Sequence, residues 1–218
     1  MPKQRFTMTG SDIFERAKRT FGDESGVQIR QDDVLRWIND GQRTIIESSP
    51  VLLAKATTNV TKGDGTYEFP NELVHHIQAL HYDGEPLTPL SFQDAQSYIF
   101  NKETSSESGH PDIWYEYNGE ITIWPKPDVD LTGGLTLYFV EDPKELSQIS
   151  DPLSIPDSFF NALFGFVMQQ AYALDENWQG LQAMKDMSTE SINRLQGQER
   201  KEQINFYPFI NVSEDDAW

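Results

Sequence analysis

At 218 residues, with 37% hydrophobic and 12% aromatic content, the chain is sized for one domain, or for one domain carrying an inserted subdomain. Its 35 Asp and Glu against 17 Lys and Arg give a formal charge of −18, a surface that repels phosphate backbones and argues against wrapping or reading nucleic acid. Cysteine is absent, which removes disulfides, thiolate zinc sites and a cysteine nucleophile; no apolar run suits a membrane span or a signal peptide, so synthesis in a cytosol and no membrane partner are expected.

Residues 1–8 show no periodic pattern and are expected to form a flexible arm. Thr9 or Ser11 then caps a first helix with Ile13, Ala17 and Phe21 on one stripe, ended by Gly22. After a Gly22–Gly26 loop, Asp32 or Asp33 caps a second helix. Val34, Leu35, Ile38, Gly41, Ile45 and Ile46 form its buried stripe, Pro50 stops it, and Arg30, Arg36, Asp40, Arg43 and Glu47 make a solvated face.

Alternation takes over after Leu53. Ala54, Ala56, Thr58 and Val60 face one side of a strand, and Lys55, Thr57, Asn59 and Thr61 the other. Further strands are expected at Thr66–Phe69 and Val74–Tyr82, with Pro86 and Pro89 limiting 85–90 to an edge. Ser91 and Asp94 resemble a capping box before a short helix that buries Phe92, Ala95 and Ile99. The run 109–127 is an aromatic hairpin: Asn118-Gly119 suits a type I′ turn, which needs positive φ at both central residues. Gly133-Gly134, available for a bulge or a tight bend, precedes a strand over Leu135–Glu141.

A Pro-punctuated linker, 142–156, ends the strand-rich block. Asp157 or Ser158 then caps an apolar helix containing Phe159, Leu163, Phe164, Val167 and Ala171, apolar around most of its circumference; residues 175–177 break it from a last helix over about 178–196. The remaining segment mixes aromatics with acids. Ile204, Phe206, Tyr207, Phe209, Ile210 and Trp218 read as anchors of an extended arm that docks on a partner or a neighbouring subunit.

The expected fold class is therefore α+β. N- and C-terminal helices (1–50 and 155–196) form a helical bundle, an antiparallel β subdomain (51–154) is inserted between them, and an extended docking arm (197–218) follows.

No catalytic, cofactor-binding or metal-binding residue is assigned. His75 and His81 have even spacing on one strand, which suggests a shared face, but their spacing matches no common metal motif. Glu116 and Glu120 flank the hairpin turn, where like charges can raise a carboxyl pKa; blunting an exposed tip is the plainer role. Trp114, Tyr117 and Trp124 are candidates for a contact with a neighbouring subunit or another protein, or for a carbohydrate-stacking platform. Strand alternation weakens the platform, because it sets Trp114 on the face opposite Tyr115 and Tyr117.

Four stretches in this order resemble the phage head-to-tail connector (adaptor) family, mostly of short-tailed phages. They are Asp12-Ile13-Phe14-Glu15-Arg16-Ala17 followed by the 32–43 helix, Gly65-Thr66-Tyr67-Glu68-Phe69-Pro70, Gly109-His110-Pro111 with Gly119-Glu120-Ile121-Thr122-Ile123-Trp124-Pro125-Lys126-Pro127, and Ile155-Pro156-Asp157 leading to Gln170-Ala171-Tyr172. The resemblance implies a non-enzymatic virion protein: a homo-oligomeric, dodecameric ring in the neck, made in the host cytoplasm and docked under the portal protein. It also implies that the C-terminal arm reaches the portal or an adjacent adaptor, that the β subdomain faces the tail or nozzle, and that DNA passes through the lumen during ejection without specific binding. A tail-tube or nozzle protein is the neighbouring alternative, and a carbohydrate-binding tail module the more distant one.

Overall fold

The structure is a computed structural model that describes residues 7–23, 25–68, 74–102 and 108–204, with side chains described as far as residue 197. In chain order its elements are α1 (Gly10–Phe21), α2 (Gln31–Ser48), β1 (Leu53–Val60), β2 (Thr66–Glu68), β3 (Val74–Tyr82), β4 (Glu85–Pro86), β5 (Thr88–Pro89), α3 (Phe92–Asn101), β6 (Ser108–Gly109), β7 (Ile113–Tyr117), β8 (Glu120–Trp124), β9 (Lys126–Pro127), β10 (Leu131–Glu141), a 3₁₀ turn (Asp157–Phe159), α4 (Phe160–Leu174) and α5 (Trp178–Ile204). The fold is α+β, with helices at both ends of the chain and strands between them. The described residues fall into two compact units, a β unit (Pro50–Asp142) and a helical unit drawn from the chain on either side of it.

In the β unit, one four-stranded sheet has the order β1-β10-β3-β4 and is antiparallel throughout. The other has the order β2-β8-β7-β5, and its short β5 pairs parallel to β7; a two-residue parallel pair, β6-β9, lies apart. The alternation of β1 puts Ala54, Ala56, Thr58 and Val60 inward as expected. One core joins the two sheets: Leu80, Leu135 and Leu137 meet Tyr67, Trp114, Ile121 and Ile123. Each fully buried leucine there stabilises the fold by about 1.5–3 kcal/mol relative to an exposed one. β10 begins at Leu131, earlier than its sequence suggests, because its glycines are absorbed as a bulge. Thr58 pairs with Leu135 but Val60 with Leu131, and Gly133 takes φ +65° in the excess chain.

In the helical unit, α4 packs against α1, α2 and α5 and buries Ala162, Leu163, Phe164, Gly165, Val167, Met168 and Ala171. Gly41 allows α2 to approach closely, since a Cβ there would lie 2.6 Å from Leu163 Cδ1. Several boundaries differ from expectation. Thr7 and Met8 are held, not free: both backbone amides and the Thr7 hydroxyl donate to the Asp157 carboxylate at 2.6–3.1 Å. Asp157 is spent there, and a 3₁₀ turn precedes α4. The first residue of α2 is Gln31, with Arg30 as its N-cap, so Asp32 and Asp33 sit inside its first turn, where their charge suits the helix dipole.

Segment 143–154 belongs with the helices, not with the β unit. Polar side chains of α2 account for this. Asn39 accepts from Leu146 N (2.9 Å) and donates to Leu146 O (3.1 Å), Gln42 Oε1 accepts from Ser154 N (2.7 Å), and Arg43 pairs with Glu145. α5 continues as helix through Gly197 to Ile204, so the first part of the expected extended arm is helical.

Candidate functional site

The hairpin places its aromatics on two faces. Asn118 (φ +54°) and Gly119 (φ +79°) make the tight turn, and the unslipped register Ile113↔Trp124, Tyr115↔Thr122 and Tyr117↔Glu120 follows. Trp114 points inward and is 7% exposed, so it is part of the core and not of a contact surface. Trp124 is half-buried on the outer face, beneath α3: Tyr98 meets it edge-on at 5.8 Å and the Lys102 ammonium lies 5.4 Å from its ring. Tyr117 alone of the three is well exposed, at 59%. The set therefore forms no common stacking platform.

Phe92 is not buried as expected. Ser91 caps α3 by accepting from Asp94 N, and this start sets Phe92 over the hairpin, stacked on Tyr117 with ring centroids 4.4 Å apart and 39% exposed. Glu120 lies across from Tyr117, and Glu68 on β2 lies across from Glu120. A row Tyr117–Glu120–Glu68 thus crosses three strands on the outer face, all exposed. Neither glutamate makes an ion pair among the described residues. Pattern reading missed Glu68 because cross-strand pairing brings it beside Glu120, and misplaced Phe92 because the start of α3 lays its ring on Tyr117.

The acid–base and metal candidates come apart. Glu116 pairs with Ile121 on the inward face and Glu120 with Tyr117 on the outer one, so the two carboxylates do not share a site. In β3 the pairing with β10 shifts between Ala79 and Ile77 and again between His76 and Val74, so even spacing no longer means one face for His75 and His81. His75 Nδ1 lies 3.0 Å from Asp142 Oδ1, whereas His81 packs on Tyr138 at 4.8 Å. A cavity of about 300 Å³ near the hairpin tip is lined by His75, His76 and Glu116. Among the described residues no group of three or more His, Asp or Glu is placed to hold a metal ion. Within the core, burial and the nearby Asp64 push the Tyr67 phenol up to about 12, so it stays a neutral hydrogen-bond donor to Asp64 O.

The helical unit offers a second surface at the α1–α2 loop. Gly22 takes φ +80° and ends α1. Asp23 then turns its buried carboxylate inward, accepting from Val27 N (3.2 Å), Gln28 N (2.7 Å), Ile29 N (2.8 Å) and the Ser25 hydroxyl (2.8 Å). These bonds, the one from Ile29 foremost, hold its pKa down at about 2. The loop is thereby fixed with Val27 72% exposed, and Arg19 and Arg30, which precede and follow it in sequence, are exposed too. At the α4–α5 turn, Leu174 and Trp178 are also exposed. Of the expected arm residues, Phe206, Tyr207, Phe209, Ile210 and Trp218 lie outside the described residues, and Ile204 is described only as the last helical residue of α5.

What these surfaces have in common is exposed aromatic, apolar and charged area. The chain matches the family described as SU10 adaptor protein over residues 8–208, and it belongs to that phage head-to-tail adaptor family. A search among curated proteins returned no match.

Proposed function

We propose that the protein is the head-to-tail adaptor of a tailed phage virion, assembled as a twelve-fold ring between the portal and the tail or nozzle and lining the DNA channel. The family match over residues 8–208 carries this reading. The charge supports it: −18 per copy, multiplied around a ring, lines a conduit with negative charge, along which DNA slides without adhering. The role is mechanical, not enzymatic. The hydrophobic positions of 204–218 anchor the C-terminal segment on the portal or an adjacent copy, and Tyr117, with part of Trp124, contributes to a subunit or tail contact on the β unit.

The test is to mix the purified chain with portal rings of its own phage and image the product by cryo-electron microscopy. A ring of this chain stacked on the portal is expected, and a chain lacking 204–218 is expected to keep its circular dichroism spectrum but lose docking. Persistence of a monomer that does not bind the portal would overturn the reading. Docking by the truncated chain would remove the arm from it.

A further inference from the structure

The two units divide the charge unequally. The β unit carries fifteen Asp and Glu against four Lys and no Arg, and all eight arginines belong to the helical part of the chain. Two are used internally. Arg16 donates to Asn161 Oδ1 (2.9 Å) and lies 4.0 Å from the Phe164 ring centroid, and Arg43 pairs with Glu145. Arg19 and Arg30 are exposed, and their side chains make no ion pair or hydrogen bond among the described residues.

The outer hairpin face has the opposite deficit. Glu120 and Glu68 are direct cross-strand partners, and like charges so placed repel. No cation of this chain relieves them among the described residues. Beside them the Phe92–Tyr117 stack exposes ring area. A guanidinium fits both features, because its fork matches a carboxylate and its plane stacks on aromatic rings.

We propose that the α1–α2 loop of one copy seats on the outer hairpin face of the next copy, with Arg19 and Arg30 meeting Glu120 and Glu68 and Val27 covering the Phe92–Tyr117 stack. The proposal rests on the ring reading above and names the surfaces that meet. The contact is heterologous, loop to hairpin, the kind that closes a ring when the rotation per copy allows. The Asp23 carboxylate holds the loop in one shape before contact, so little ordering cost remains at docking. The charge pairs set register and exclude wrong partners, and the apolar cover supplies most of the affinity.

Rings are assembled on portals from an equal mixture of isotopically heavy and light full-length chains carrying p-benzoylphenylalanine in place of Tyr117, and separately in place of Phe92. After irradiation, mass spectrometry is expected to find cross-links to peptides spanning residues 19–30, with mixed heavy–light pairs. Cross-links to portal or tail protein, or to another segment of this chain, overturn the proposal and leave the ring standing. Failure of the unmodified chain to form rings sinks both. In parallel, R19E/R30E and E68R/E120R are each expected to lower ring yield by about tenfold or more, and the combined variant to recover most of it. Equal loss in the combined variant, with the fold intact by circular dichroism, also overturns the proposal.

Discussion

The two units are held together by different means. The β unit is one continuous stretch of chain whose sheets share an apolar core, with hydrogen bonds mostly between backbones. The helical unit also has an apolar core along α4, but adds polar side chains that bridge long gaps in sequence. Asp157 holds Thr7 and Met8, Ser11 donates to Ile149 O, Asn39 grips Leu146, and Gln42 accepts from Ser154. Joining chain ends that lie more than a hundred residues apart costs loop-closure entropy, and directional bonds make the closed arrangement specific as well as stable. A subdomain can thus be inserted into a helical frame when its own core is self-sufficient and the frame carries its own clasps.

The largest expected effect comes from breaking the β core. Leu137 is fully buried in the central strand, and Leu137→Ala is expected to cost about 2–5 kcal/mol by urea unfolding. Hydrogen-exchange mass spectrometry should show the lost protection within Pro50–Asp142, with α2 and α4 close to wild type. Equal loss across α4 would show that the units do not hold themselves together separately and would break the contrast.

A smaller effect tests the clasps. Asn39→Ala removes two bonds to Leu146 and leaves that backbone amide and carbonyl without their partner, at a cost of about 1–3 kcal/mol. Asn59 is the matching residue of the β unit. It is exposed and accepts one bond, from Gly133 N, so Asn59→Ala should change stability by no more than about 0.5 kcal/mol. Thermal melts of the two variants decide the point: equal shifts would mean that polar clasps matter no more in the helical unit than in the β unit.

Much of the β unit can be read from local pattern, and less of the helical unit. The strand alternation of 54–60, the Asn118-Gly119 turn and the split of Trp114 from Tyr117 all follow from period two and turn chemistry. Bulges are harder to place. Even spacing put His75 and His81 together until two register shifts separated them, and Gly133-Gly134, open to a bulge or a tight bend before a strand, form a bulge inside a strand that runs through them. The clasps were hidden for another reason. Asn39, Gln42 and Asp157 look like ordinary helix-surface or capping residues until the distant backbone they grip is known. The candidate contact face was half visible: the exposed Tyr117 was named, but Phe92 was expected in the core, and Glu68 joined only through its partner strand.

The mildest perturbation acts on the α1–α2 loop and depends on pH. Asp23 has a folded-state pKa of about 2, below its ordinary 3.8, because the ionised carboxylate accepts three backbone amides and a hydroxyl. A depressed carboxyl contributes stability that is fully present above the ordinary value and is lost as pH falls through the folded one. Asp23→Asn keeps one acceptor oxygen but not the charge, so it is expected to be less stable than wild type at neutral pH, with the gap closing between about pH 4 and pH 2. Urea unfolding across that range measures the gap. A gap that stays constant would mean that shape, and not the ionised carboxylate, holds the loop. A gap that closes as expected makes Asp23 the group that fixes the presentation of Arg19, Val27 and Arg30. In that case the helical unit prepares its contact surface with the same device it uses to close its frame, a polar side chain gripping backbone, whereas the β unit presents Phe92 and Tyr117 by packing.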